Sequence, residues 1–250
     1  QRAYDQVIHD VCIQNLPVTF ALDRAGLVRE DGPTHHGVFD VAFLRCIPNL
    51  TVMAPKDGPE LQAMLATALQ LEGPAAIRYP KGSCPLPQGR VLDLERVAEP
   101  LPVGKAELLR PGADVAILAL GPLVWPALEA AEALAAEGVQ AAVLNVRFVK
   151  PLDEEQILAL ARRTGRVVTV EDGVRMGGLG SAVLELLADH QVPARVACLG
   201  VADRFVEHGT QERLREQQGL SAEGIAAAAR QLVKVVSPPA WRREAGQTPS

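Results

Sequence analysis

Aromatic residues are scarce in this chain: five Phe, two Trp and two Tyr among 250 residues. A core with so few rings must be built from Ala, Leu and Val, which suits an α/β protein. Cysteine is sparse too. Cys12, Cys46, Cys84 and Cys198 make no CxxC pair, which argues against a zinc site and for free thiols in a reducing cytoplasm. Positive charge is not in excess: 25 Lys and Arg stand against 30 Asp and Glu, a net charge of -5. That balance gives no general attraction to nucleic acid or to an anionic membrane, though it permits a local basic pocket. No apolar run reaches the ~18 residues a membrane span needs, and no signal peptide is visible. There is no P-loop, no H-E-x-x-H, no Ser/His/Asp order and no short-period repeat. Gly177, Gly178 and Gly180 fail the G-x-G-x-x-G spacing.

What is present alternates between strand and helix patterns. In residues 3–14 helical spacing puts Tyr4, Val7, Ile8, Val11 and Cys12 on one face. Strands are expected at 17–23, 50–55 and 74–80, with helices at 39–46 and 59–73, the latter capped by Gly73. Residues 81–102 hold four prolines and two glycines and read as an interdomain linker. An edge strand is expected near 104–111, and further strands at 114–120, 140–148, 166–172 and 194–200. Helices at 122–137, 153–164, 178–190 and 222–235 separate them. Right-handed crossovers then give an open, mainly parallel α/β sheet. The tail, 237–250, reads as disordered.

The densest chemistry lies in "LDRAGLVREDGPTHHG", residues 22–37. Open parallel sheets bind ligands beyond the carboxyl ends of their strands. Arg24 follows one strand there, and Arg78 sits near the end of another. Two guanidinium forks at one mouth make a clamp for phosphate or carboxylate. Glycines 26, 32 and 37 let backbone approach a ligand. His35, near Asp31, is suited to moving protons. Residue types alone leave a solvated loop with surface ion pairs as an equal reading. The glycines at 177–180 read as a tight strand-to-helix turn rather than a phosphate cradle. Asp153 and Thr210 read as helix caps, and His208 as a cleft-lining candidate.

Several stretches, in this order and at these spacings, carry more. They are "QRAYDQVIHDV", "DRAGLVREDGPTHHGVFD", "LRCIPN", "MAPKD", "GPAAIRYPKG", "RFVKPLDEE", "VTVEDG" with "GGLGSAV", and "HGTQERLREQ". Over roughly residues 1–235 the chain resembles the C-terminal part of the 1-deoxy-D-xylulose-5-phosphate synthase family, thiamine-diphosphate enzymes of the transketolase superfamily. The resemblance implies a partial pyrimidine-binding domain with a parallel sheet over residues 1–80. A C-terminal transketolase-type α/β domain follows at 103–236. The implied reaction joins pyruvate to glyceraldehyde 3-phosphate with loss of carbon dioxide, for isoprenoid and thiamine precursors, with thiamine diphosphate and Mg2+ in a cytoplasmic homodimer.

Carried over by position, the resemblance makes Arg24, Arg78 and Tyr4 contacts of glyceraldehyde 3-phosphate. It puts His35 beside the cofactor's reactive carbon with Asp31 next to it. Arg29 departs from the family, which usually has Gly there. The GDG…N signature for magnesium and diphosphate is not in this sequence. The chain alone is therefore expected to be inactive, and the part before residue 80 to be less stable than 103–236. The alternatives are one subunit of a split transketolase-like enzyme, or a non-catalytic assembly module.

Overall fold

The computed structural model describes residues 1–28, 32–82, 93 and 98–234. The expected tail, most of the expected linker, Arg29 and Asp31 lie outside the described residues. Two sheets form the frame. The first contains β1 (Thr19–Leu22), β2 (Thr51–Met53) and β3 (Ala75–Arg78). The second contains β4 (Glu107–Arg110), β5 (Val115–Ala119), β6 (Ala141–Asn145), β8 (Arg166–Val174) and β9 (Arg195–Val201) in the order β4-β6-β5-β8-β9. Only the edge strand β4 is antiparallel there. The sequence pattern expected this edge.

One strand departs from expectation. Residues 140–148 do not form one strand. The chain leaves β6 at Asn145, turns at Arg147 with φ +59°, and enters β7 (Phe148–Lys150). β7 pairs antiparallel with β2, so the first sheet reads β1-β3-β2-β7. The second half of the chain thus completes the sheet of the first. Apolar periodicity could not reveal this, because a buried run looks the same whichever sheet receives it.

The helices follow from caps and small apolar faces. Tyr4–Gln6 (α1) continues into a π-helical turn, Val7–Cys12, and Tyr4, Val7 and Ile8 pack on the core while Cys12 is buried. A short α2 (Asp40–Leu44) follows the loop. In α3 (Gly58–Ala68), the Asp57 carboxylate accepts from the Glu60 amide at 2.9 Å. This helix ends five residues before Gly73, which instead packs against the Asn15 side chain. Next come α4 (Val124–Ala136) and α5 (Glu154–Thr164), with Asp153 accepting from the Gln156 amide. α6 (Leu179–Asp189), α7 (Gln211–Gln217), capped by Thr210, and α8 (Ala222–Lys234) complete the set.

Strand alternation divides the core. Val115, Ile117 and Ala119 of β5 face α4 and α8. Ala116 and Leu118 face the other way, into a cluster with Val52 and Ala76 of the first sheet, Ala54 just after β2, and Val183 and Leu187 of α6. The two halves therefore share one core.

A charged network pins the same seam. Glu60, buried on α3, accepts from Lys56 Nζ at 2.9 Å, Arg147 Nε at 2.7 Å and Asn145 Nδ2 at 2.8 Å. Glu107 of β4 accepts from Lys56 Nζ and pairs with Arg147, both at 2.9 Å. Partial burial alone would raise the Glu107 carboxyl, but Lys56 and Arg147 outweigh it and hold the carboxyl below its ordinary range. Arg147, the residue at the turn between sheets, is thus fixed by carboxylates from both halves.

The shared core predicts shared unfolding. Truncating the fully buried Phe148 to Ala is expected to cost about 3–5 kcal/mol. In hydrogen exchange β1, a half-exposed edge, should open first, and β3 should open together with β5 and β6. Independent loss of the first sheet in the Phe148→Ala protein, with β5 and β6 unchanged, would contradict this coupling.

Candidate functional site

The loop after β1 lies at the carboxyl end of the first sheet and leans on β8. Its backbone is tightly laced. Ala25 N–H donates to the Tyr79 carbonyl at 3.0 Å, and Gly26 and Gly37 exchange two backbone bonds of 2.7 and 2.9 Å. A Cβ on Gly37 would overlap the Arg24 carbonyl, and one on Gly26, at φ +78°, would overlap the Asp172 carboxylate. Close packing, rather than approach to a ligand, explains these two glycines.

Arg24 itself sits at φ +57°. Its half-exposed guanidinium pairs with Asp23 at 2.8 Å. His35 is exposed on the same loop, with Nδ1 2.9 Å from Thr34 Oγ1. Its neighbour His36 is buried. His36 Nδ1 accepts from the Val28 amide at 2.9 Å, so Nε2 carries the proton and donates to the Val206 carbonyl at 3.0 Å. His208 lies over Gly32. Asp31 lies outside the described residues.

The other two expected substrate contacts are placed differently. Arg78 is 2% exposed. Its Nε donates to Asp40 Oδ2 at 2.8 Å and its Nη1 to Asp172 Oδ1. Burial alone would lower its pKa, but the pull of Asp172 and Asp40 outweighs that and raises it. Arg24 and Arg78 therefore do not open to solvent as two prongs of a clamp: one faces out and the other is an internal pin. The Tyr4 hydroxyl donates to the Phe43 carbonyl at 2.7 Å, and its ring meets the Phe43 ring edge-on at 5.1 Å. A contact with Cys46, then burial, pushes its phenol up to about 12.

Sequence reasoning did not single out the acidic pair Glu171 and Asp172. Both are 1% exposed, inside a nine-residue strand whose interior is otherwise apolar or small. That setting was the available signal: two acids in a buried run must have partners. Asp172 holds Arg78. Burial lowers the pKa of Arg215 on α7, and the nearby charges of Asp172 and Glu212 pull the other way. Glu171 accepts the Gly180 amide at 3.0 Å, and a Cβ at Gly178 would collide with its carboxylate. The glycine turn at 177–180 is thus a cradle for the chain's own Glu171. Burial pushes the Glu171 carboxyl up to about 7, against the amides of Leu179 and Gly180. Among the described residues no group of three or more His, Cys, Asp and Glu could hold a metal ion. Among the described residues the loop offers the exposed guanidinium of Arg24 and the exposed imidazole of His35 above a closely packed floor. It can bind an anion and exchange a proton.

Two family models match this chain: "Transketolase, pyrimidine binding domain" over residues 1–87 and "Transketolase, C-terminal domain" over 104–225. A solved structure titled "Split gene transketolase, inactive beta4 tetramer" superposes with a TM-score of 0.81 at 35% identity, covering 94% of this chain and 73% of that one. The chain belongs to the transketolase family. Within this family its similarity is high to "1-deoxy-D-xylulose-5-phosphate synthase 1" of Geobacter metallireducens, 58% identical over 94% of this chain and 37% of the relative. The corresponding synthase of Thermomicrobium roseum is 60% identical over 91% of this chain and 36% of the relative. The chain thus spans little more than a third of the length of these curated relatives. Transketolase-family membership accounts for the paired α/β units. No helix among the described residues is long and apolar enough to cross a membrane.

The raised Glu171 carboxyl has a signed consequence. An acid with an ordinary pKa of 4.5 and a folded value of about 7 binds a proton in the folded chain that the unfolded chain releases. Its contribution is full below pH 4.5 and is lost as pH rises through 7. Glu171→Gln stays neutral throughout, so it is expected to flatten that decline by about 1–3 kcal/mol. Urea melts at pH 5 and pH 8 measure it. An equal fall in both proteins would mean that Glu171 is already ionised in the fold.

Proposed function

We propose that this chain supplies the acceptor-side portion of a 1-deoxy-D-xylulose-5-phosphate synthase. That enzyme condenses pyruvate with glyceraldehyde 3-phosphate, releases carbon dioxide, and provides a precursor for isoprenoids and thiamine. The observation that carries the reading is identity of 58% with such a synthase across 94% of this chain, with Arg24 and His35 exposed on one loop. Arg24 would grip the acceptor phosphate. His35, with Asp31, would hold or pass the proton at the aldehyde oxygen. Arg78 acts beneath them: it holds Asp172, on which Gly26 rests.

Thiamine diphosphate, when bound, supplies the nucleophile for pyruvate. The described residues do not fit its magnesium and diphosphate. They include no metal-binding cluster, and the glycine turn is filled by Glu171. We therefore assign those groups to another portion of the enzyme, which we take to be a cytoplasmic homodimer. A specific observation supports a second reading, a subunit of a split enzyme: the superposed structure is titled a split-gene transketolase in an inactive β4 form. A non-catalytic assembly role is the third.

Calorimetry with thiamine diphosphate and magnesium is expected to show no binding to this chain alone, and mixing with a diphosphate-binding half should restore synthesis. Micromolar binding to the isolated chain would overturn the half-site reading, and absence of any synthesis after complementation would favour the assembly role. In the competent assembly, Arg24→Ala is expected to raise KM for glyceraldehyde 3-phosphate about 10–100-fold, the loss of one charged hydrogen bond. Pyruvate KM should not change. The opposite pattern would reject Arg24 as the phosphate contact.

A further inference from the structure

The loop that presents Arg24 and His35 is fastened to the second half of the chain at several points. His36 Nε2 donates to the Val206 carbonyl at 3.0 Å, Gln211 Nε2 to the Leu27 carbonyl at 3.2 Å, and the Val174 amide to the Val38 carbonyl at 2.7 Å. Leu27 and Val38 from the loop share a small core with Val201, Val206 and Leu214. His36 stands apart among these ties because one ring makes both an internal and an external bond. Its Nδ1 closes the loop onto Val28, and its Nε2 reaches across 170 residues of sequence to Val206. Both bonds require a neutral ring with one lone pair and one N–H; a doubly protonated ring would lose the Val28 amide. The adjacent histidines therefore divide their work. His35 faces solvent, and His36 faces the seam.

We infer that His36 is a positioning residue, which locks the anion-binding loop to the 201–214 segment so that Arg24 is held in place by the second half of the chain. What the loop binds rests on the proposed synthase reading; how it is held does not.

Two substitutions separate the bonds. Asn places an acceptor near Nδ1 and keeps the Val28 bond while losing Val206. Gln places a donor near Nε2 and keeps Val206 while losing Val28. Hydrogen exchange on the full 250-residue chain is the first readout. His36→Asn is expected to speed exchange of Gly26 and Gly37 about tenfold, and His36→Gln to release the Val28 amide selectively, with β3 and β5 unchanged in both. Nitrogen NMR of the unsubstituted chain should show His36 with its proton on Nε2. Inorganic phosphate titrated against the Arg24 side-chain signal is the second readout, and His36→Asn should weaken it about fivefold or more.

Unchanged loop exchange in both variants would overturn the inference. So would a loosened loop whose Arg24 still takes phosphate with full affinity. If the unsubstituted chain takes no phosphate at Arg24, the substrate reading fails instead, and the exchange pattern alone decides whether His36 holds the loop.

Discussion

The structure depends on one buried cation. Arg78 enters the core at the end of β3 and is met by Asp40 from α2 and Asp172 from β8. Removing a guanidinium from water is costly, and the carboxylates must offset that cost with good geometry. Two acids from separate halves of the chain can do so only when the halves are docked in one register. The triad therefore specifies how the halves meet more than it adds net stability. Hydrophobic packing alone would tolerate some sliding of β8 against the first sheet; a buried ion triad does not.

The rest of the seam follows from this constraint. Because Asp172 stands on β8 against the loop, there is no room for a side chain at position 26. Because Glu171 precedes Asp172 on the same strand, it points to the opposite face, toward the start of α6. There it demands glycines at the turn and accepts backbone amides in place of a cation. Two neighbouring acids thus have different fates. One is paired with arginine; burial pushes the other's carboxyl up to about 7. The second network, around Glu60 and Arg147, does for β7 what Arg78 does for β8. It fixes the turn through which the chain passes from one sheet to the other.

Much of the fold was legible in the sequence, because buried parallel strands are apolar runs and helices announce their caps. Asp153, Thr210 and the edge strand β4 were readable in that way. β7 was not, since three residues after a kink carry no period of their own. Asp57 was overlooked as a cap because the strong apolar pattern starts later. Within the site, the loop was found by its density of polar residues and glycines. Its internal roles were hidden, because residue type does not report direction. His35 and His36 are adjacent and identical in kind, yet one is exposed and one is buried. The buried acids at 171 and 172 were the clearest signal left unused.

The same point separates the two arginines and bears on what the loop can do. An arginine that grips a substrate anion must be free to exchange water for phosphate. Arg78 Nε and Nη1 are held by two carboxylates in a low-dielectric interior, where a broken pair leaves uncompensated charge, while its buried Nη2 has no hydrogen-bond partner among the described residues. Among the described residues Arg24 pairs with Asp23, a solvent-screened partner, and such a pair contributes about 0–1 kcal/mol. An incoming phosphate can displace it at small cost. Arg78 is thus the fixed arginine and Arg24 the exposed one. The fixed one holds Asp172, whose carboxylate leaves no room for a Cβ at Gly26, two residues from Arg24.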